Sequence, residues 1–212
     1  MQHQDTINFI LAGVGGQGTI LASDLLAQVG MDAGYDVKQA EVHGMAQRGG
    51  SVSSHVRWGA EVYSPLVAAG EADILVGFEQ VETLRYLYFL RPGGVVLVNQ
   101  QAIAPITVSA GSALYPSMDT LRSGLAQVTE QVYWAPAMDI ARALGNDKVT
   151  NVVLLGALSA LLAVPDRVWL KAIESRVPPR YLQLNRSAFV QGRAALARNG
   201  AVASQAWPVQ LA

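Results

Sequence analysis

Short apolar runs alternate along this chain with segments whose apolar residues recur every three or four positions, the pattern of buried strands feeding helices. Thr6 to Ala12 is such a run, stopped by Gly13. Gln17 to Val29 follows as a helix, with Ile20, Leu21, Leu25, Leu26 and Val29 forming its apolar face. Ala33 to Asp36 closes it, and Val37 to Val42 is a second strand. Ser51 to Trp58 alternates, which predicts an extra strand with one polar face. Glu61 to Leu66 reads as a short extended piece broken at Pro65. Ala72 to Phe78 is another buried strand. Val81, Leu84 and Tyr88 mark a helix ending at Arg91-Pro92-Gly93-Gly94, before a strand over Val95 to Val98.

Residues 100 to 116 lack either period, apart from a strand expected around Ile106 to Val108. Helices are expected over Leu121 to Val128 and Ala137 to Leu144, with a strand at Gln131 to Ala135 between them. A strongly apolar helix runs from Thr150 to Ala163 and is stopped by Pro165. Asp166 is expected to cap the next helix, which reaches Val177, and a last helix spans Tyr181 to Arg198. The alternation predicts an α/β fold: a three-layer, mostly parallel, Rossmann-like sheet with helices on both faces and a helical C-terminal portion over 150–198. One domain, residues 1–200, and a tail, 201–212, account for the chain; no internal repeat is visible.

The junction of the first strand and helix has its own chemistry. Gly13, Gly15 and Gly18 fit the G-x-G-x-x-G spacing, and Gly16 and Gln17 complete the turn. Such glycines permit a tight turn, a close backbone approach to a ligand, or close packing of helix on strand. A helix starting near Gln17 points free N–H groups over the glycines and favours an anion. The same residues also serve simply to turn a strand sharply into its helix. In a dinucleotide fold an acid at the end of the second strand holds the ribose, and Glu41 stands at that place. Glu41 serves equally as a hydrogen-bond anchor.

A second stretch, Glu41-Val-His-Gly-Met-Ala-Gln-Arg-Gly-Gly-Ser, follows the second strand. The Arg48 fork suits a carboxylate or phosphate, and Gly49 and Gly50 would let backbone come close. Alternatively Arg48 and Gln47 tie the loop to a nearby acid or helix end. His43 is either a proton carrier or a brace for the loop. Met45 and Trp58 read as core or interface residues. Ser53 and His55 share a strand face, but no acid orients the histidine and no strand-to-helix nucleophile elbow is present, so a serine hydrolase is set aside.

Composition narrows the chemistry. The chain has no cysteine and only three histidines, His3, His43 and His55, without metal spacing. Disulfides and thiolate-bound iron–sulfur clusters are thereby excluded from this chain, and no metal site is expected. A net charge of −1 gives no bulk attraction to nucleic acid or membrane. No apolar run reaches the roughly 18 residues of a spanning helix. No basic region leads an apolar one at the N-terminus, so a cytoplasmic protein is expected. Hydrophobic residues make up 51% and charged ones 15%, which predicts apolar surface covered by another chain, most simply in a twofold dimer. From Asp166 to Arg198 seven bases face two acids, which makes either a solvated basic face or a docking surface for an acidic partner or a CoA phosphate.

The sequence resembles the gamma domain of 2-oxoacid:ferredoxin oxidoreductases. The likeness rests on Gly13-Val-Gly-Gly-Gln-Gly, the Glu41 to Ser51 stretch, Tyr63-Ser-Pro-Leu, Asn151-Val-Val-Leu-Leu-Gly-Ala and Val177-Pro-Pro-Arg. It spans residues 7 to 195 and is greatest for the beta subunit of the indolepyruvate type. The resemblance implies a small subunit in a complex that oxidises a 2-oxoacid with thiamine diphosphate. The complex passes electrons through iron–sulfur clusters to ferredoxin and releases an acyl-CoA. It places thiamine diphosphate and the clusters in a larger alpha subunit, since this chain has neither cysteines nor a Gly-Asp-Gly element. Two other classes remain: a stand-alone dinucleotide oxidoreductase using Gly13, Gly15, Gly18 and Glu41, and a non-catalytic interaction module.

Overall fold

The computed structural model describes residues 6–43 and 50–198. Six strands form one sheet: β1 Thr6–Val14, β2 Asp36–His43, β3 Ser51–Gly59, β4 Ala72–Gly77, β5 Leu90–Asn99 and β6 Val132–Ala135, in the order β2-β3-β1-β4-β5-β6. β3 runs antiparallel to both β2 and β1, while β1, β4, β5 and β6 are mutually parallel. Five of the six strands therefore point the same way, and the sheet is mostly parallel. β1 lies centrally, and Phe9, Ile10, Leu11 and Ala12 are fully buried. That explains why this strand is a continuous apolar run, whereas β3 alternates.

Eight helices are described: α1 Thr19–Asp32, α2 Gln80–Arg85, α3 Ile106–Ser109, α4 Met118–Ala126, α5 Ala137–Ala143, α6 Thr150–Ser159, α7 Asp166–Arg176 and α8 Leu182–Arg198. α1 and α5 to α8 cover one face through a large cluster built on Phe9, Leu11, Val56, Trp58, Ile74 and Leu97. Each fully buried Leu or Phe there contributes roughly 1.5–3 kcal/mol of transfer free energy. α6 is buried on every side, and α8 crosses it at backbone contact. A Cβ at Gly156 would lie 2.1 Å from the Phe189 carbonyl oxygen, and one at Gly192 would lie 2.0 Å from that of Val153. The opposite face is thinner: α2, α4 and the segment around Val67 cover Ile10, Ala12, Leu75, Val96 and Val98.

Several boundaries differ from expectation for local reasons. α1 begins at Thr19, not Gln17, because Gly18 is left-handed, and it ends at Asp32 before left-handed Gly34. Ile106 to Val108 is no strand. The amides of Val108 and Ser109 both donate to the Pro105 carbonyl and close a helical turn, α3. Arg91 to Gly94 belong to β5 rather than to a helix end, since α2 stops at Arg85 and a 3-10 turn, Leu87–Phe89, leads into the strand. Residues 61–66 form no strand. α6 ends at Ser159 and not Ala163, where the Arg193 guanidinium donates to the Ser159 carbonyl at 2.6 Å. Asp166 does not cap α7: Pro165 is the N-cap, and the Asp166 carboxylate lies in the first turn, 3.2 Å from Arg193. The predicted tail, 201–212, and Met45 lie outside the described residues, while Trp58 is a core residue.

Candidate functional site

The carboxyl ends of β1, β4 and β5 meet at the glycine turn. Gly16 (φ +101°) and Gly18 (φ +77°) hold the left-handed positions. Gly13 is needed for space: a Cβ there would lie 2.8 Å from both Gln17 Oε1 and Phe78 Cβ. Gly18 meets both demands, since its Cβ would also fall 2.8 Å from Asn151 Nδ2. Gln17 stands before the helix and knits the strand ends together. Its Oε1 accepts from Val14 N at 2.8 Å, and its Nε2 donates to the Phe78 carbonyl at 2.9 Å and to Gln101 Oε1 at 3.1 Å. α1 opens with no side-chain cap and no acid in its first turn. Free amides and the positive end of a helix dipole at such a start favour an anion.

The second motif comes back to this turn. Gly15 N donates to the Gly50 carbonyl at 2.9 Å. Ser51 Oγ donates to Glu82 Oε2 at 2.5 Å and lies 3.1 Å from the Tyr86 hydroxyl. The other end of the motif, His43, pairs with Val52. Gln47, Arg48 and Gly49 lie outside the described residues, as does the His43 side chain. Glu41 is exposed and paired through Ser54 to Leu11, so β3 separates it from β1 by two strand spacings, about 10 Å. In a dinucleotide fold the ribose-binding acid belongs to the strand beside β1, and here β3 occupies that place.

Other polar residues gather at these strand ends without a sequence motif to announce them. Asn99 is fully buried, and its Nδ2 donates to the Phe78 carbonyl and Gln101 Oε1, both at 3.1 Å, while Oδ1 has no partner. Glu79 is 1% exposed and accepts from Ile103 N at 3.0 Å, the Tyr115 hydroxyl at 2.5 Å and Glu82 N at 2.9 Å. Burial and then the Glu79 carboxylate push the Tyr115 hydroxyl well above its ordinary pKa, so it stays a donor. The one available signal was position: Asn99 ends a strand, and Asn151 interrupts an otherwise apolar helix.

On the thinner face His55 is buried, and its Nδ1 accepts from Val67 N at 3.1 Å. Burial holds its pKa below the usual histidine value. Ser53 Oγ is buried without a partner, and no nucleophile–base pair forms with His55. Among the described residues no group of histidines or acids can hold a metal, and no helix is long and apolar enough to cross a membrane. Much of the basic C-terminal stretch is paired within the chain. Lys171 meets Asp32 at 3.4 Å, Arg186 meets Glu174 at 2.6 Å, Arg193 meets Asp166, and Arg180 lies over the Tyr181 ring.

The fold is an open α/β sheet with a glycine turn at the carboxyl ends of its parallel strands. The chain belongs to the pyruvate ferredoxin/flavodoxin oxidoreductase family, whose pattern it matches over residues 8–195. It is 41% identical over 188 residues to indolepyruvate oxidoreductase subunit IorB of Thermococcus kodakarensis, covering 87% of this chain and 93% of that one. The Archaeoglobus fulgidus subunit of the same name is 39% identical, with 88% and 93% covered. The gamma subunit of keto/oxoacid ferredoxin oxidoreductase from Geobacter sulfurreducens superposes with a TM-score of 0.68 at 27% identity, over 91% of this chain and 99% of that one. The chain is thus a gamma-type small subunit of a 2-oxoacid:ferredoxin oxidoreductase.

Proposed function

We propose that this subunit serves an indolepyruvate-type enzyme of the cytoplasm, in complex with a larger alpha subunit that holds thiamine diphosphate and the iron–sulfur clusters. The complex converts an aryl 2-oxoacid and CoA to the acyl-CoA and CO2, and ferredoxin takes the two electrons. The observation that carries this reading is the near full-length kinship to subunits named for indolepyruvate oxidoreductase. The donor set agrees: without cysteine this chain cannot ligate a cluster by thiolates, so the redox centres belong to its partner. What this chain supplies is one wall of the crevice. Gly13, Gly15, Gly16, Gln17 and Gly18 present backbone and the start of α1, and Arg48, from the same sequence motif as Gly50, would add a fork suited to a carboxylate or to the phosphates of CoA.

Reconstitution tests it. The isolated small subunit should not oxidise indolepyruvate, and mixing it with the large subunit should give CoA-dependent ferredoxin reduction. Turnover by the small subunit alone would contradict the reading. Micromolar binding of NAD or NADP in a calorimeter would instead favour a dinucleotide enzyme.

A further inference from the structure

The glycine turn is braced twice. Gln17 ties it to the Phe78 carbonyl and to Gln101. A second brace reaches it from α2. In the sheet β1 lies between β3 and β4, and Ser51, the first residue of β3, pairs with Val14, the last of β1. α2 is seated on the end of β4. A Cβ at Gly77 would lie 1.8 Å from Thr83 Oγ1, and Glu79 caps the helix by accepting from Glu82 N at 2.9 Å. From that seat the Glu82 carboxylate reaches past β1 to Ser51, whose Oγ donates to Oε2 at 2.5 Å. The same Oγ lies 3.1 Å from the Tyr86 hydroxyl. Beside it the Gly50 carbonyl accepts from Gly15 N at 2.9 Å. The bridge from α2 to β3 thus ends one residue from the contact between the two sequence motifs.

Glu82 is 4% exposed, and its other oxygen meets Arg85 at 3.0 Å, a side chain that is itself half-exposed. A buried carboxylate loses its hydration, and an apolar side chain of that size would fill the same space at less cost. What the carboxylate adds is direction: a charge-assisted bond to one hydroxyl, shorter and stronger than a neutral one. We propose that Glu82 is a positioning residue of the crevice. Through Ser51 it sets the Gly50–Ser51 peptide against the glycine turn, and so fixes the turn's backbone where the anionic group of a substrate meets it. This rests on the crevice reading above. Backbone already in place binds without the entropy lost in ordering it, and a small displacement weakens each contact made with the ligand. Loss of the bridge therefore acts on substrate affinity rather than on the chemistry carried by the partner's cofactors.

The test is the kinetics of CoA-dependent ferredoxin reduction by the reconstituted complex, read beside the urea midpoint of the small subunit. Ser51→Ala and Glu82→Ala should each raise the KM for CoA or for the 2-oxoacid about tenfold or more, with kcat per assembled complex within about twofold of wild type. The double variant should go no further than either single one, since both remove the same bond. Glu82→Gln keeps an acceptor oxygen at the same reach and should restore most of the lost affinity. A lowered urea midpoint with both constants at wild type per assembled complex would make the bond structural and overturn the proposal. Wild-type KM values in Ser51→Ala, which deletes only a half-buried hydroxyl, overturn it even where Glu82→Ala does not fold. A raised KM in Arg48→Ala beside wild-type values in Ser51→Ala would sink the positioning role alone. Wild-type values in all three would sink the crevice reading, and the proposal with it.

Discussion

The two faces of the sheet are built on opposite terms. On the α6–α8 face, contact is apolar and so close that two glycines touch the facing backbone. On the α2 face the sheet buries ionisable groups: His55, Glu82 against half-buried Ser51, and Glu79 with its three donors. The buried polar residues of the first face are uncharged, Ser23, Asn151 and Ser159 among them, and sit within apolar packing. The second face and the strand ends bear the cost of buried polar groups, and they lie where the two sequence motifs meet. Buried ionisable groups, His55, Glu79 and Glu82, therefore distinguish the α2 face.

The sharpest way to break that contrast is at the helix crossing. Gly192→Val would drive a β-branched side chain into the Val153 carbonyl. We expect a loss of about 4 kcal/mol or more, seen as insoluble protein or a collapsed urea midpoint. A near-native midpoint would mean the crossing yields and the face is not tightly packed. Gln17→Ala should cost less, about 1–3 kcal/mol, because Val14 N and the Phe78 carbonyl lose a partner. It should lower activity of the reconstituted complex beyond what its melting curve explains.

Acid titration probes the polar face directly. The folded-state pKa of His55 is held below its unfolded value of about 6.5, so the unfolded chain binds the extra proton first. Stability from this group is therefore complete above that value and is lost as pH falls below it and through the folded pKa. Wild-type melting temperature should drop over that window, and His55→Gln should flatten the slope; equal slopes would discount the histidine. The smallest effect belongs to the exposed pair Arg186–Glu174, where Arg186→Ala should change stability by less than about 1 kcal/mol.

These contrasts also explain what could be read in advance. β1, β4 and β5 announce themselves because parallel strands buried on both faces need unbroken apolar runs. Alternation revealed β3 but not its position between β2 and β1, since strand order depends on pairing across the sheet. That one insertion moved Glu41 away from β1 and removed the geometry of a ribose-binding acid. Gly156 and Gly192 look in sequence like weak points of helices; only the crossing gives them a purpose. The network of Gln17, Asn99 and Gln101 around the Phe78 carbonyl joins three separate stretches of chain, and hydrophobic periodicity does not encode it. The capping expectation failed at Asp166, whose carboxylate lies in the first turn of α7 and pairs with Arg193.

Arg48→Ala separates scaffold from function most directly, with melting of the isolated subunit and turnover of the reconstituted complex measured on the same preparation. A loop arginine should leave the melting temperature close to wild type, while turnover falls or the KM for CoA or the 2-oxoacid rises. A protein that melts early yet keeps full activity per folded complex would show the motif to be scaffolding, and would contradict the assignment of function to the crevice.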